Sequence, residues 1–116
     1  MIRTALALAA LIALSVSAAQ AADAAKTFQL QCKTCHQAKS TPMGPSLTGV
    51  AGRGVASLTD FKYSPALAAK GGTWTDASLD AFLAGPGKFA PGSKMPAALP
   101  AAPDRVAMIA YLKTLK

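Results

Sequence analysis

The sequence predicts an all-α domain in which short helices are separated by long irregular connections. Three observations predict it. Apolar residues recur at helical spacing in several stretches, Pro- and Gly-rich segments interrupt them, and no run alternates as a half-buried strand would.

The 116 residues read as two unequal parts. Met1, Ile2 and Arg3 form a short basic start, and Thr4 to Val16 is almost uninterrupted Ala, Leu and Ile. Small residues follow at Ser17, Ala18 and Ala19, then at Ala21 and Ala22. This is the three-part pattern of a secretory signal peptide. Its apolar run falls short of the roughly 20 residues that span a bilayer comfortably. Residues 1–21 are therefore expected to be a cleaved signal, although cleavage after Ala19 also fits, and residues 22–116 to be one domain exported to the periplasm.

The first helix is expected to open at Asp23, whose carboxylate suits an N-cap, and to run to about His36. Phe28, Cys32 and Cys35 fall at helical spacing along it. From Ser40 to Ala56 Pro, Gly and Ser dominate and periodicity disappears, which reads as loop. Ser64 and Pro65 form an N-cap and first-turn pair, opening a short helix that Gly71 and Gly72 end. Thr75 caps the next, with Asp76 in its first turn, Leu79, Phe82 and Leu83 on one face, and Gly85–Pro86 as the stop. A second Pro/Gly loop is expected from Gly87 to Pro100. Pro103 and Asp104 start a final helix with Val106, Ile109 and Leu112 as the buried row.

A domain of this size buries a limited core, and cofactors, metals or disulfides commonly supply the remaining stability. Only two cysteines are present, Cys32 and Cys35, and a disulfide between them would close too small a loop to staple the fold. Their context points elsewhere. Cys32-Lys33-Thr34-Cys35-His36 is a C-x-x-C-H sequence, the pattern of c-type haem attachment. Thiols three residues apart share a helical face and reach the two vinyl groups of one porphyrin. His36, next to Cys35 and four residues from Cys32, is placed to ligate the iron from the proximal side. The rival readings are weaker. A thioredoxin-like dithiol needs a βαβ context, a zinc site needs further ligands where no other Cys or His exists, and two buried small hydrophobes need no motif at all.

His36 is the only histidine, so two-histidine ligation from this chain is excluded and a Met thioether becomes the main candidate for the sixth position. Met1 leaves with the signal, Met43 lies close to the attachment motif, and Met108 sits among apolar residues of the last helix, where a packing role is ordinary. Met95 lies in Pro91-Gly92-Ser93-Lys94-Met95-Pro96, a loop bounded by prolines, and is the preferred ligand.

The mature chain resembles the class I cytochromes c, the family of mitochondrial cytochrome c and bacterial cytochrome c2, over about residues 22–116. The resemblance rests on Cys32 to His36, Met43-Gly44-Pro45-Ser46-Leu47, Gly52-Arg53, Trp74, the Pro91-to-Pro96 loop and Ala110-Tyr111-Leu112-Lys113. It implies a small all-α fold wrapped around one haem c, covalent through Cys32 and Cys35, with His36 and Met95 on the iron. It implies also that the Pro45 carbonyl accepts the Nδ1–H of His36, that Arg53, Tyr63 and Trp74 gather around the propionates, and that Ser93 stands beside the inner one. Phe28 and Tyr111 match aromatics where the first and last helices cross. The chain departs from the family at Phe82, where many relatives have a tyrosine bonding to the Met sulfur, at Ala24 for a glycine between the terminal helices, at Ala97 for a phenylalanine, and in a shortened loop from His36 to Pro45.

The function so implied is one-electron shuttling by a soluble monomeric carrier, with no small-molecule substrate at the iron and no catalysis. Removal of the signal takes Arg3 with it and leaves eleven basic against five acidic residues, a net charge of +6. Two ionised propionates would lower this to about +4. No dense Lys/Arg run with interleaved aromatics points to nucleic acid. The expected partners are acidic docking surfaces of redox proteins, a reductase on one side and an oxidase or reaction centre on the other, with transient peripheral membrane contact. Lys33, Lys39, Lys88 and Lys94 are candidates for the basic ring that meets them. Two alternatives stand beside the carrier: a dedicated electron-transfer subunit of a periplasmic oxidoreductase, and a haem enzyme or gas sensor with a labile sixth ligand.

Overall fold

The computed structural model describes residues 16–116. Residues 1–15, and with them most of the expected signal peptide, lie outside the described residues.

The first helix, α1 (Ala18–Thr27), opens earlier than expected. Its N-cap is Ser17: Gln20 N–H donates to Ser17 Oγ at 3.2 Å and Ser17 N–H to Gln20 Oε1 at 3.1 Å. This reciprocal box satisfies two otherwise orphaned donors, and the Ala-rich stretch behind it has high helix propensity. Asp23 is therefore inside the helix rather than its cap. Nor does α-helix continue to His36. Phe28–Cys32 is a π-helical turn, in which Lys33 N–H reaches back to the Phe28 carbonyl at 2.9 Å. The chain then tightens, with Cys35 and His36 N–H both donating to the Cys32 carbonyl at 3.2 and 2.9 Å.

Helix α2 (Pro65–Lys70) begins and ends as expected, with Ser64 Oγ accepting Leu67 N–H at 3.3 Å and Gly71 leaving the helix at φ 67°. Helix α3 (Asp76–Ala84) is capped by Thr75, strengthened by Ser78, whose Oγ accepts Thr75 N–H at 2.8 Å. Gly85 ends it. Pro86 then starts a further short helix, α4 (Pro86–Phe89), where the sequence suggested only loop. Proline at a first helical position loses no hydrogen bond, so the residue that stops one helix can begin another.

The last helix, α5 (Ala102–Leu112), carries Pro103 and Asp104 in its first turn. Its buried face is Ala107, Met108, Ile109 and Leu112. Val106 was expected in that row but is 41% exposed. At 3.6 residues per turn it lies more than about 100° round from the centre of the Met108–Ile109–Leu112 face.

Helices α1 and α3 both pack on α5. Phe28 meets Tyr111 at the crossing of the first and last helices, with ring centroids 4.9 Å apart. Phe28, Val50, Val55, Trp74, Leu79, Leu83, Met108, Ile109 and Leu112 form one continuous core. No strand is present among the described residues, only two isolated bridges, Thr41 with Gly44 and Gly54 with Thr73. No helix among the described residues is long and apolar enough to cross a membrane.

Candidate haem-binding site

His36 is fixed by one bond. Its Nδ1 lies 2.9 Å from the Pro45 carbonyl, which can only accept, so Nδ1 carries the proton and Nε2 keeps its lone pair. Burial pushes the imidazole below its ordinary pKa, and the Pro45 bond opposes this with a smaller upward pull. The net shift is downward, set by burial, and leaves a neutral imidazole at neutral pH, the form that ligates metals.

Gly44 makes that bond sterically attainable. A Cβ at this position would come within 2.6 Å of the Cys35 carbonyl oxygen and 3.2 Å of His36 Nδ1. The Thr41–Gly44 turn, closed by Thr41 N–H to the Gly44 carbonyl at 2.9 Å, lays the backbone against the attachment motif. The two cysteines are half-buried and form no disulfide with each other. Burial pushes the Cys32 thiol up, and Cys35 beside it adds to the shift.

The polar part of the site is built by backbone pairing. Gly52 N–H donates to the Trp74 carbonyl and Trp74 N–H to the Arg53 carbonyl, both at 2.9 Å, which brings Arg53 and Trp74 together. Arg53 then spends one guanidinium nitrogen on the Thr48 carbonyl at 3.2 Å and another on the Ser46 carbonyl at 3.0 Å. Its Nε, and the hydroxyl of Tyr63, are buried with no partner among the described residues. Buried donors are rarely left unpaired, so both require an acceptor. Ser93 is half-buried, and Met95 N–H lies 3.4 Å from its Oγ.

One cavity of ≈ 460 Å³ is lined by Cys32, Cys35, His36, Pro45, Arg53, Tyr63, Trp74, Ser93 and Met95 among others. The size is that of a cofactor site. Each residue the sequence singled out is present. Three methionines border the cavity, but differently: Met43 is 67% exposed, Met108 is 2% exposed within α5, and Met95 is half-buried on an irregular loop.

Several contributors were missed. Phe61 packs edge-on against Tyr63, with centroids 5.0 Å apart, and Leu67 lines the same wall. Behind Trp74, Phe82 and Phe89 complete an aromatic cluster, at 5.2 and 5.7 Å from the indole. Phe82 was placed by the sequence on the inner face of its helix and beside the Met sulfur, whereas Phe61, Leu67 and Phe89 gave only the signal of isolated apolar residues. The steric role of Gly44 was likewise invisible, because its contacts are to residues brought near by folding.

The arrangement does not suit the rival chemistries. No group of three His, Cys, Asp or Glu side chains that could hold a metal ion occurs among the described residues, and no βαβ unit surrounds the cysteines. An apolar cavity with a thiol pair and a neutral imidazole on its wall, and two unpartnered buried donors, fits a flat apolar cofactor that carries anionic groups.

Fold and site thus define a small helical protein built around a covalently attached haem. Comparison with known proteins gives the family. The family model described as Cytochrome c matches residues 21–116, and the chain belongs to that family. It carries haem c, bound through Cys32 and Cys35. It is 47% identical over 100 residues to cytochrome c2 iso-1 of Magnetospirillum molischianum, a match that covers 82% of this chain and 100% of that one. It is 48% identical over 97 residues to a cytochrome c homolog of Rickettsia bellii, covering 80% of this chain and 56% of the relative. The chain spans about half the length of several curated relatives that it matches, including that one. In solved structures, cytochrome cH from Methylobacterium extorquens superposes with a TM-score of 0.73 at 38% identity, covering 81% of this chain and 97% of that chain.

Proposed function

We propose that this protein is a one-electron carrier whose haem iron is held by His36 and Met95. It works in the periplasm as residues 22–116 after removal of a signal peptide over residues 1–21, a cut that takes away Ser17 and Gln20 and leaves α1 to start near Asp23. The observation that carries the reading is the pairing of a neutral, Pro45-anchored imidazole with a loop thioether on the wall of the same cavity. Haem c, when bound, supplies a ferric/ferrous couple that takes up and returns one electron.

The chain's own residues do the rest. Pro45 holds His36 in one tautomer and one orientation. Met95 is favoured over Met108, whose side chain is fully buried in the α5 core, and over the exposed Met43. His36 and Met95 together leave no open metal position for a substrate, which makes the protein a carrier rather than a catalyst. Arg53 Nε and the Tyr63 hydroxyl are suited to hold propionate oxygens, and Ser93 and Trp74 complete that end. Trp74, Phe82 and Phe89 exclude water from the interior wall.

Lys33, Lys39, Lys88 and Lys94 are exposed, and a monomer bearing them would dock transiently on acidic surfaces of its redox partners. Absorption spectroscopy tests the ligand assignment. The ferric protein should show the weak far-red methionine–iron band, lost in Met95→Ala and kept in Met108→Ala. The reverse pattern would sink the assignment.

A further inference from the structure

The loop that carries Met95 is poorly supported from within. After α4, Ser93 N–H donates to the Ala90 carbonyl at 2.9 Å and Met95 N–H makes a long contact to Ser93 Oγ at 3.4 Å. Pro96 to Ala98 make no hydrogen bond among the described residues. The next fixed point is Leu99, four residues beyond Met95, whose N–H donates to the Leu83 carbonyl at the end of α3 at 2.7 Å.

Arg105 binds that same point from the other side. Its Nη1 donates to the Leu99 carbonyl at 2.9 Å and the Pro100 carbonyl at 2.8 Å, while its Nε meets Asp80 Oδ1 of α3 at 2.7 Å. The arginine side chain is only 13% exposed and that of Asp80 45%. One guanidinium therefore joins α3, α5 and the C-terminal root of the loop. A single planar fork that bridges a carboxylate and two carbonyls is a task lysine cannot reproduce. By contrast, Lys113 with Asp76, the other ion pair of α5, is exposed on both sides and touches no loop.

We propose that Arg105 is a positioning residue for the sixth ligand: by pinning Leu99 and Pro100 to Asp80, it keeps the Met95 loop from swinging away from the metal. The proposal rests on Met95 as the ligand. Without the guanidinium, two carbonyls lose a charged donor, and the loop from Ala90 to Ala101 keeps at that end only the Leu99–Leu83 hydrogen bond and the packing of the Leu99 side chain. The loop then opens more often while the helices stay folded.

The test is imidazole binding to the ferric holoprotein, in which an imidazole nitrogen lone pair replaces the thioether sulfur on the iron with no change of oxidation state. Arg105→Leu should raise the imidazole association constant about ten- to hundredfold, the range expected for loss of one hydrogen bond to a charged group. Arg105→Lys should raise it less, and helical circular dichroism should be unchanged in both. In a Met95→Ala background, where no thioether competes, Arg105→Leu should add nothing. An effect of equal size in that background, or affinities within twofold of wild type for both variants, would overturn the proposal. If Arg105→Leu yields no folded holoprotein, Arg105→Lys decides by the same criterion. A different failure is recognisable: should Met108→Ala raise imidazole affinity and Met95→Ala leave it unchanged, the ligand assignment falls and this proposal with it. Failure of the clamp alone leaves Met95→Ala strongly raised and Arg105→Leu flat.

Discussion

Gly44→Ala is the smallest change that strikes the attachment site. The added methyl would sit 2.6 Å from the Cys35 carbonyl oxygen, 3.1 Å from its carbonyl carbon and 3.2 Å from His36 Nδ1. The nearest atoms are backbone, so no side chain can rotate away. Either the Thr41–Gly44 turn or the Cys35–His36 segment must shift, and either movement stretches the 2.9 Å bond from His36 to Pro45. Overpacking with backbone displacement costs about 3 kcal/mol, the upper end of the ordinary range. For a domain of this size that is roughly 12–24 °C in melting midpoint. Gly87→Ala is the control, since a Cβ there meets nothing within 4 Å. Guanidinium unfolding of the two holoproteins, followed at the Soret band, measures the difference. If Gly44→Ala is within about 0.5 kcal/mol of wild type, the scale of an ordinary surface substitution, the close approach carries no strain and the reasoning fails; Gly87→Ala, inside α4, should be neutral or stabilising.

Other expectations follow from the same geometry. Tyr63→Phe removes a buried hydroxyl that has no partner among the described residues; if a propionate accepts from it, the holoprotein should lose about 1.5–3 kcal/mol by chemical unfolding, whereas a neutral or stabilising result would mean that the hydroxyl has no acceptor. Burial holds the His36 pKa below its ordinary value of 6.5, so the proton competes for Nε2 only in more acidic solution. The site's stability is then fully present above pH 6.5 and lost as pH falls through the depressed value, and an acid titration of the Soret band with its midpoint above pH 6.5 would contradict this. Electron transfer to an acidic partner should slow steeply as ionic strength rises past about 0.1 M, where the screening length is near 10 Å. A salt-independent bimolecular rate, measured by stopped flow, would remove the lysine ring from the docking model.

The parts of this molecule legible in the sequence are those governed by neighbours along the chain. Ser64–Pro65 and Thr75–Asp76 cap helices because hydroxyl and backbone lie within one turn of each other. Cys32, Cys35 and His36 declare their chemistry because one turn holds all three. The start of α1 was also local, in Ser17 and Gln20, but the same residues read as the tail of an export signal, and that reading hid the capping box. Pro86 ends α3 and begins α4 with one ring; the first role is obvious from sequence and the second depends on where the chain can go next. Val106 was assigned inward by spacing alone, while the true face is centred nearer Met108 and Leu112 because α1 and α3 both press on it. Gly44 acts across 9 and 8 positions of sequence on Cys35 and His36, and Arg105 across 25 on Asp80, and nothing local announces such contacts.

The π-helical turn at Phe28–Cys32 sets the angular phase between two halves of one segment. Each residue of α-helix turns the chain by about 100°, and a π turn fits one residue more into its hydrogen-bonded ring. Upstream, Ala24 and Phe28 must face α5; downstream, Cys32 must face the cavity. Gln29 and Leu30 are exposed, so neither is required for packing. Deleting either would remove little buried surface, and because a π turn holds one residue more than an α turn, the shortened segment can close as α-helix and keep the attachment motif facing the cavity. At Gln29 and Leu30 the fold therefore tolerates a change of residue count that a regular α-helix would not.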